Sequence, residues 1–143
     1  MAHIVVLGAG LGGVIMAYEV SEKIGRNDRV TVINKGTTFS FVPSNPWIAV
    51  GWRKKDDIEV DLVSVLARHG IAFKTAGAKK VLPTDNRIEL LDGTYVDYDY
   101  LVIATGPELA FDEVQGLGPT AHTHSICHVD HALMAYDLSL IHI

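Results

Sequence analysis

The sequence predicts an α/β fold: a parallel sheet flanked by helices, with an antiparallel meander inserted before its last strand. Three observations predict it. A glycine-rich turn joins an apolar run to a helix-like segment at the start, and a second apolar run follows at β-α-β spacing. Further on, an Asp-Gly pair lies between strand-like runs. At 143 residues and 48% hydrophobic, the chain has the length of one domain with an adequate core.

The first run is Ile4-Val5-Val6-Leu7. It leads into Gly8-Ala9-Gly10-Leu11-Gly12-Gly13 and then a helix-like segment from Val14 to Ile24. This is the strand, turn and helix of a Rossmann-like dinucleotide site. Gly8 is expected to permit the tight exit from the strand, Gly10 to let the backbone approach a pyrophosphate, and Gly13 to let the helix pack closely. The N–H groups at the helix start, with the positive end of its dipole, then face the phosphates. A merely structural glycine turn is the alternative; the placement between strand and helix favours the dinucleotide.

Arg26-Asn27-Asp28 reads as a polar turn and Val30-Thr31-Val32-Ile33 as a second buried parallel strand. In NAD sites an Asp or Glu ends this strand and binds the ribose hydroxyls. Here Asn34 and Lys35 stand in that place. An amide can still bond a hydroxyl, but the departure weakens a plain NAD reading and leaves the dinucleotide open.

Residues 36–52 read as a loop, because Pro43 and Pro46 exclude a regular helix or central strand. Phe39, Phe41, Trp47 and Trp52 either serve a function there or plug the edge of the core. Arg53 to Asp57 is a charged, solvated stretch. Ile58, Leu62, Val65 and Leu66 mark one face of a helix from Ile58 to His69, ended by Gly70. Strand-like runs follow at 71–74, 80–82 and 87–91, and Asp92-Gly93 turns the last of these back into 94–96. The run from Tyr98 to Ala104 is a buried strand opening into Thr105-Gly106-Pro107. Residues 116–123 form a loop, and Val129 to Tyr136 begin another helix.

A net charge of −5 without a basic cluster argues against nucleic acid as a partner. No apolar run approaches the roughly 20 residues that span a bilayer. No secretion-signal pattern precedes the first strand, and the single cysteine, Cys127, excludes an internal disulfide framework. A cytoplasmic location is therefore expected. Cys127 is either a reactive thiol or a small buried hydrophobe. His122, His124, Cys127, His128 and His131 do not follow the paired spacing of zinc ligands, so no metal is expected.

Gly8-x-Gly10-x-x-Gly13, together with Asp99-Tyr-Leu-Val-Ile-Ala-Thr105-Gly106 after a meander, resembles the two-dinucleotide-binding-domain flavoproteins, whose first domain binds FAD. Other segments are similar to bacterial sulfide:quinone oxidoreductases. They are Met1-Ala-His3, Phe41-Val-Pro-Ser-Asn-Pro-Trp47, Val50-Gly-Trp52, Asp56-Asp57-Ile58, Ala104-Thr-Gly-Pro107, Ser125-Ile-Cys127 and Val129-Asp-His-Ala132. The resemblance runs from Met1 to near Tyr136 but covers only the first third or so of such an enzyme.

The resemblance implies that FAD takes a hydride equivalent from sulfide through redox-active cysteines and passes electrons to a membrane quinone. It implies FAD contacts for Gly8, Ala9, Gly10, Leu11, Gly12 and Gly13 at the pyrophosphate. Asn34 and Lys35 would lie at the adenosine ribose, Pro43 and Asn45 near the flavin, and Gly77 and Ala78 at the adenine. Thr105 with Gly106 would close the pocket. Cys127 matches the first of three family cysteines, with an accessory role. The other two, the quinone pocket and the helices that touch the inner membrane would lie beyond residue 143, and a homo-oligomer is compatible with the family. The alternatives are a type II NADH:quinone oxidoreductase or other NAD(P)H-dependent flavoprotein, and a non-catalytic nucleotide-binding module.

Leu138-Ser-Leu-Ile-His-Ile143 breaks the helical pattern, and read back into codons it matches a sequencing-adapter end. Residues 1–137 are therefore expected to form a partial Rossmann-like domain, incomplete at its C-terminus, and 138–143 a non-native read-through tail. Such a fragment is expected to be inactive alone, with an open sheet edge and poor solubility.

Overall fold

The computed structural model describes residues 1–141. In chain order its first elements are β1 (His3–Leu7), α1 (Leu11–Lys23), β2 (Arg29–Ile33), β3 (Thr38–Ser40), α2 (Asn45–Ala49), β4 (Glu59–Asp61) and α3 (Leu62–Arg68). Then come β5 (Ala72–Lys74), β6 (Ala78–Leu82), β7 (Arg87–Leu90), β8 (Tyr95–Asp97), β9 (Tyr100–Ile103) and α4 (Val129–Ile141). The chain divides into two units, residues 1–39 with 61–106, and residues 40–60 with the chain from Pro107 onward.

The first unit is built on a four-stranded parallel sheet of order β5-β2-β1-β9, with β6-β7-β8 as a separate antiparallel meander. Side chains alternate along the central strands. Val6, Val30 and Val32 enter one cluster with Ala17 of α1, Leu62 and Leu66 of α3, and Ile71. Val5, Leu7 and Ile33 enter the other with Ile88, Leu90 and Val96 of the meander. Both faces of β1 and β2 are thus covered, so their sequences read as unbroken apolar runs rather than as alternating ones. The parallel sheet and inserted meander match the sequence expectation.

His3 carries a buried polar network into this core. The Arg29 guanidinium donates to His3 Nδ1 at 3.1 Å, and His3 Nε2 lies 2.7 Å from Thr31 Oγ1. A guanidinium can only donate, so Nδ1 must keep its lone pair and Nε2–H must donate to the threonine. The ring is neutral. Burial, with the positive charge of Arg29 second, lowers its pKa below the ordinary 6.5. Asp99 closes the same corner: its Oδ2 accepts the His3 N–H at 2.6 Å, and its own N–H donates to the His3 carbonyl at 2.9 Å. That explains the aspartate at the head of the β9 motif.

The second unit has its own small core, Ile48, Ile58, Val129 and Ala132, with Ala49 and Leu133 against it. Here the structure corrects several expectations. Residues 42–49 are not loop: Pro43 lies in a 3-10 turn over Val42–Ser44, and Pro46 sits in the first turn of α2. Proline is accepted there because a first-turn N–H has no intrahelical partner to lose. The helix expected from Ile58 starts at Leu62, where the Asp61 carboxylate caps the Val63 and Ser64 amides. Ile58 packs into the second unit's core instead.

α4 continues through Leu138 to Ile141, past the expected break. Of the six residues read as a tail, His142 and Ile143 lie outside the described residues. Phe39 packs on the α1–α3 cluster as an edge plug, whereas Trp52 is 78% exposed. No helix among the described residues is long and apolar enough to cross a membrane.

Replacing Leu66, fully buried between α3 and the sheet, by Ala is expected to cost about 2–5 kcal/mol in a urea unfolding series. The pH profile of stability gives a second expectation. Because the folded state holds His3 below its ordinary pKa, the unfolded chain binds the proton first. Stability attributable to His3 is complete above about pH 6.5 and is lost as pH falls below it. His3→Gln should remove that component, seen as a smaller drop in midpoint between pH 7 and pH 5; an unchanged drop would contradict the neutral-ring assignment.

Candidate dinucleotide site

The site is built where β1 ends. Gly8 leaves the strand at φ +101°, and a Cβ there would collide with the Ala104 carbonyl, lying 2.7 Å from its carbon and 2.9 Å from Thr105 Cα. Only glycine lets the turn after β1 pass the end of β9. Gly13 is equally confined, since its Cβ would fall on the Gly8 carbonyl. Gly10 and Gly12 differ: nothing lies within 4 Å of a Cβ at either, so these two face open space.

Gly10 is the N-cap of α1 in extended backbone, with no side chain to cap the helix and no acidic residue in the first turn. The Val14 N–H bonds the Gly10 carbonyl at 3.0 Å. Among the described residues, the amides of Leu11, Gly12 and Gly13 have no acceptor, as the first N–H groups of a helix do not. Three unsatisfied donors, the positive dipole end and two open glycines make a place for an anion.

Next to it a cavity of about 390 Å³ is lined by Gly8, Asn34, Lys35, Gly77, Ala78 and Thr105, together with Leu7, Lys79, Lys80, Val81 and Leu91. Lys35 bridges to Ala76, which joins the end of β2 to the start of the meander. Asn34 acts on the turn itself: its Oδ1 accepts the Ala9 N–H at 3.2 Å, and its Nδ2 donates to the Lys35 and Gly36 carbonyls. The amide is a pin for the glycine turn more than a reader of ribose. Lys79 Nζ pairs with Glu89 at 2.6 Å, and that carboxylate raises the lysine's pKa.

Six of the residues named from the sequence therefore share one cavity: Gly8, Asn34, Lys35, Gly77, Ala78 and Thr105. Gly10 to Gly13 lie on the adjoining helix start, and Gly106 follows Thr105 outside the lining. Pro43, Asn45 and Cys127 belong to the second unit. Asn45 is buried at 1% exposure, and neither atom of its amide has a partner among the described residues. Cys127 is exposed, which removes the buried-hydrophobe reading, and its N–H donates to Ser125 Oγ at 3.1 Å. His128 and His131 stack edge to face at 5.1 Å, and no metal-ligand cluster occurs among the described residues. Sequence reasoning missed Lys79 and Lys80; their doublet directly after Gly77-Ala78 was the available signal.

A glycine cradle, unsatisfied helix amides and an adjacent pocket fit an adenine dinucleotide. The family model for pyridine nucleotide-disulphide oxidoreductases matches residues 2–139. The chain belongs to that family. The sulfide-quinone reductase of Aquifex aeolicus is 38% identical over 131 residues, covering 92% of this chain and 30% of the relative. The solved sulfide:quinone oxidoreductase of the same bacterium superposes with a TM-score of 0.86 at 35% identity, over 99% of this chain and 32% of that one. The mitochondrial sulfide:quinone oxidoreductase of Dictyostelium discoideum is 28% identical over 82% of this chain and 26% of the relative. A NAD-dependent persulfide reductase from A. fulgidus, with a TM-score of 0.79 at 20% identity over 97% of this chain and 27% of that one, shares the fold. The chain spans less than a third of the length of these relatives.

Two glycines of one helix turn should behave oppositely. Gly12→Ala, with open space for its methyl, is expected to stabilise the chain by up to about 1 kcal/mol through helix propensity. Gly13→Ala should destabilise it by about 2 kcal/mol or more, because backbone must move. Thermal melts of the two variants side by side check this, and similar shifts would sink the account of the turn.

Proposed function

We propose that this chain is the FAD-binding N-terminal part of an FAD-dependent oxidoreductase that oxidises sulfide to polysulfide or sulfur and reduces a membrane quinone. The observation that carries the reading is the glycine turn with its adjoining cavity, in a chain that keeps 38% identity to a sulfide-quinone reductase over 92% of its length. The NADH-dependent phenylglyoxylate dehydrogenase subunit epsilon of Aromatoleum evansii is 28% identical over 73% of this chain, against 38% over 92% for the Aquifex aeolicus sulfide-quinone reductase, and that gap favours sulfide over a nicotinamide as electron donor.

The chain's own residues have separable tasks. The Leu11, Gly12 and Gly13 amides take the pyrophosphate oxygens, and the dipole of α1 favours that negative charge. Asn34 holds the turn in shape through Ala9. Gly77 and Ala78 offer backbone groups to the adenine, Lys35 lies at the ribose, and Thr105 with Gly106 closes the cavity. The resemblance to sulfide:quinone oxidoreductases implies Pro43 and Asn45 near the flavin, and within its own unit the Asn45 amide is buried with no partner among the described residues. When bound, FAD supplies two-electron chemistry between sulfide and quinone. Cys127 assists at the sulfide side as an exposed thiol.

Gly10→Val separates this role from folding. Gly10 sits at φ −73° with open space around it, so the variant should unfold within about 1 kcal/mol of the parent. Its branched side chain should nevertheless occupy the path of the phosphates and weaken FAD binding by about tenfold or more, read from quenching of flavin fluorescence. Unchanged affinity would refute a pyrophosphate at this turn.

A further inference from the structure

Where NAD binds, a carboxylate at the end of the second strand accepts from the ribose hydroxyls, and that charge repels a phosphate on the 2′ oxygen. Here no Asp or Glu lines the cavity, while Lys35, Lys79 and Lys80 all do. Asn34 does not replace the carboxylate, because its amide is engaged with the Ala9, Lys35 and Gly36 backbone. Both consecutive lysines line the cavity, and the β6–β7 register shifts between Ala78 and Lys80 at that point. Lys79 is matched by Glu89 at 2.6 Å. Lys35 and Lys80 have no carboxylate partner among the described residues.

We propose that this end of the cavity accepts an adenine nucleotide carrying a phosphate on the 2′ oxygen of its ribose, with Lys35 and Lys80 binding that phosphate. The proposal rests on the reading of the cavity as an adenine-dinucleotide site. FAD has no 2′-phosphate and occupies the same cavity without calling on these two charges. A 2′-phosphorylated nucleotide brings a dianion to a cavity lined by Lys35 and Lys80, which have no carboxylate partner among the described residues, and by no Asp or Glu; the nearby Glu89 is neutralised by Lys79.

Calorimetric titration of the 143-residue chain with adenosine 2′,5′-bisphosphate, adenosine 3′,5′-bisphosphate and adenosine 5′-monophosphate tests this. At low salt the 2′,5′-bisphosphate should bind on the order of tenfold tighter than the monophosphate, and the gain should shrink as salt is raised. The 3′,5′-bisphosphate should gain less. In Lys35→Ala, Lys80→Ala and the double variant, the ratio of 2′,5′-bisphosphate to monophosphate affinity should fall toward one. Taking the ratio within each variant cancels any general loss of fold or affinity. A ratio near one in the parent, a gain that survives the double substitution, or an equal gain from the 3′-phosphate overturns the proposal. FAD is titrated separately: FAD bound with a ratio near one defeats the proposal alone, whereas a chain that binds neither FAD nor any nucleotide defeats both readings.

Discussion

The first unit depends on the close passage of three backbone segments at the end of β1. The Gly8 N–H donates to the Ile33 carbonyl at 2.8 Å, and the Ala104 N–H donates to the Leu7 carbonyl at 2.7 Å. Gly8 is therefore held between the ends of β2 and β9, with Gly13 pressed on its carbonyl from the helix side. Any side chain at either glycine would wedge the sheet from the helix. One turn further out, Gly10 and Gly12 have open space where a side chain would stand, and that lets a ligand's phosphates come close. One steric constraint thus shapes the packing and the site together.

The sheet supplies the rest. Because β1 pairs with β2 on one side and β9 on the other, the two strand ends and the glycine turn meet at one sheet edge. Such carboxyl ends are where open α/β sheets bind ligands. The meander then serves two purposes. Ile88, Leu90 and Val96 cover the face of the sheet opposite the helices, and the start of β6 brings Gly77 to Lys80 into the cavity wall. The polar corner of His3, Arg29, Thr31 and Asp99 lies at the other end of the same strands, aligning β1 with β2 and β9 far from the ligand. A buried neutral histidine is tolerated there because each ring nitrogen has a partner.

Much of this was legible in the residues. The strand, turn and helix of the start, the parallel sheet and the meander all follow from period, glycine placement and the Asp-Gly turn. The misplaced helix start at Ile58 and the loop expected over the prolines share a cause, which is capping and first-turn chemistry. Ile58 fits a helical period with Leu62 and Leu66, yet Asp61 caps the helix after it and frees Ile58 for another core. Pro46 reads as a breaker until it is placed in a first turn, where it costs nothing. In the site, Gly8, Asn34, Lys35, Gly77, Ala78 and Thr105 were legible and do converge. The cationic wall was not, because an irregularity in strand register leaves no periodic trace, and only the structure shows Lys79 and Lys80 both lining the cavity. The role of Asn34 was also hidden, since an amide that could meet a ribose serves the backbone turn instead.

The central claim is that the glycine turn and the cavity beside it form one dinucleotide site. Amide hydrogen exchange of the chain with and without FAD tests it most directly. The account expects slowed exchange at Leu11, Gly12 and Gly13, whose amides have no acceptor among the described residues, and at Gly77 and Ala78. Unchanged exchange at the turn with protection confined to other segments would contradict it.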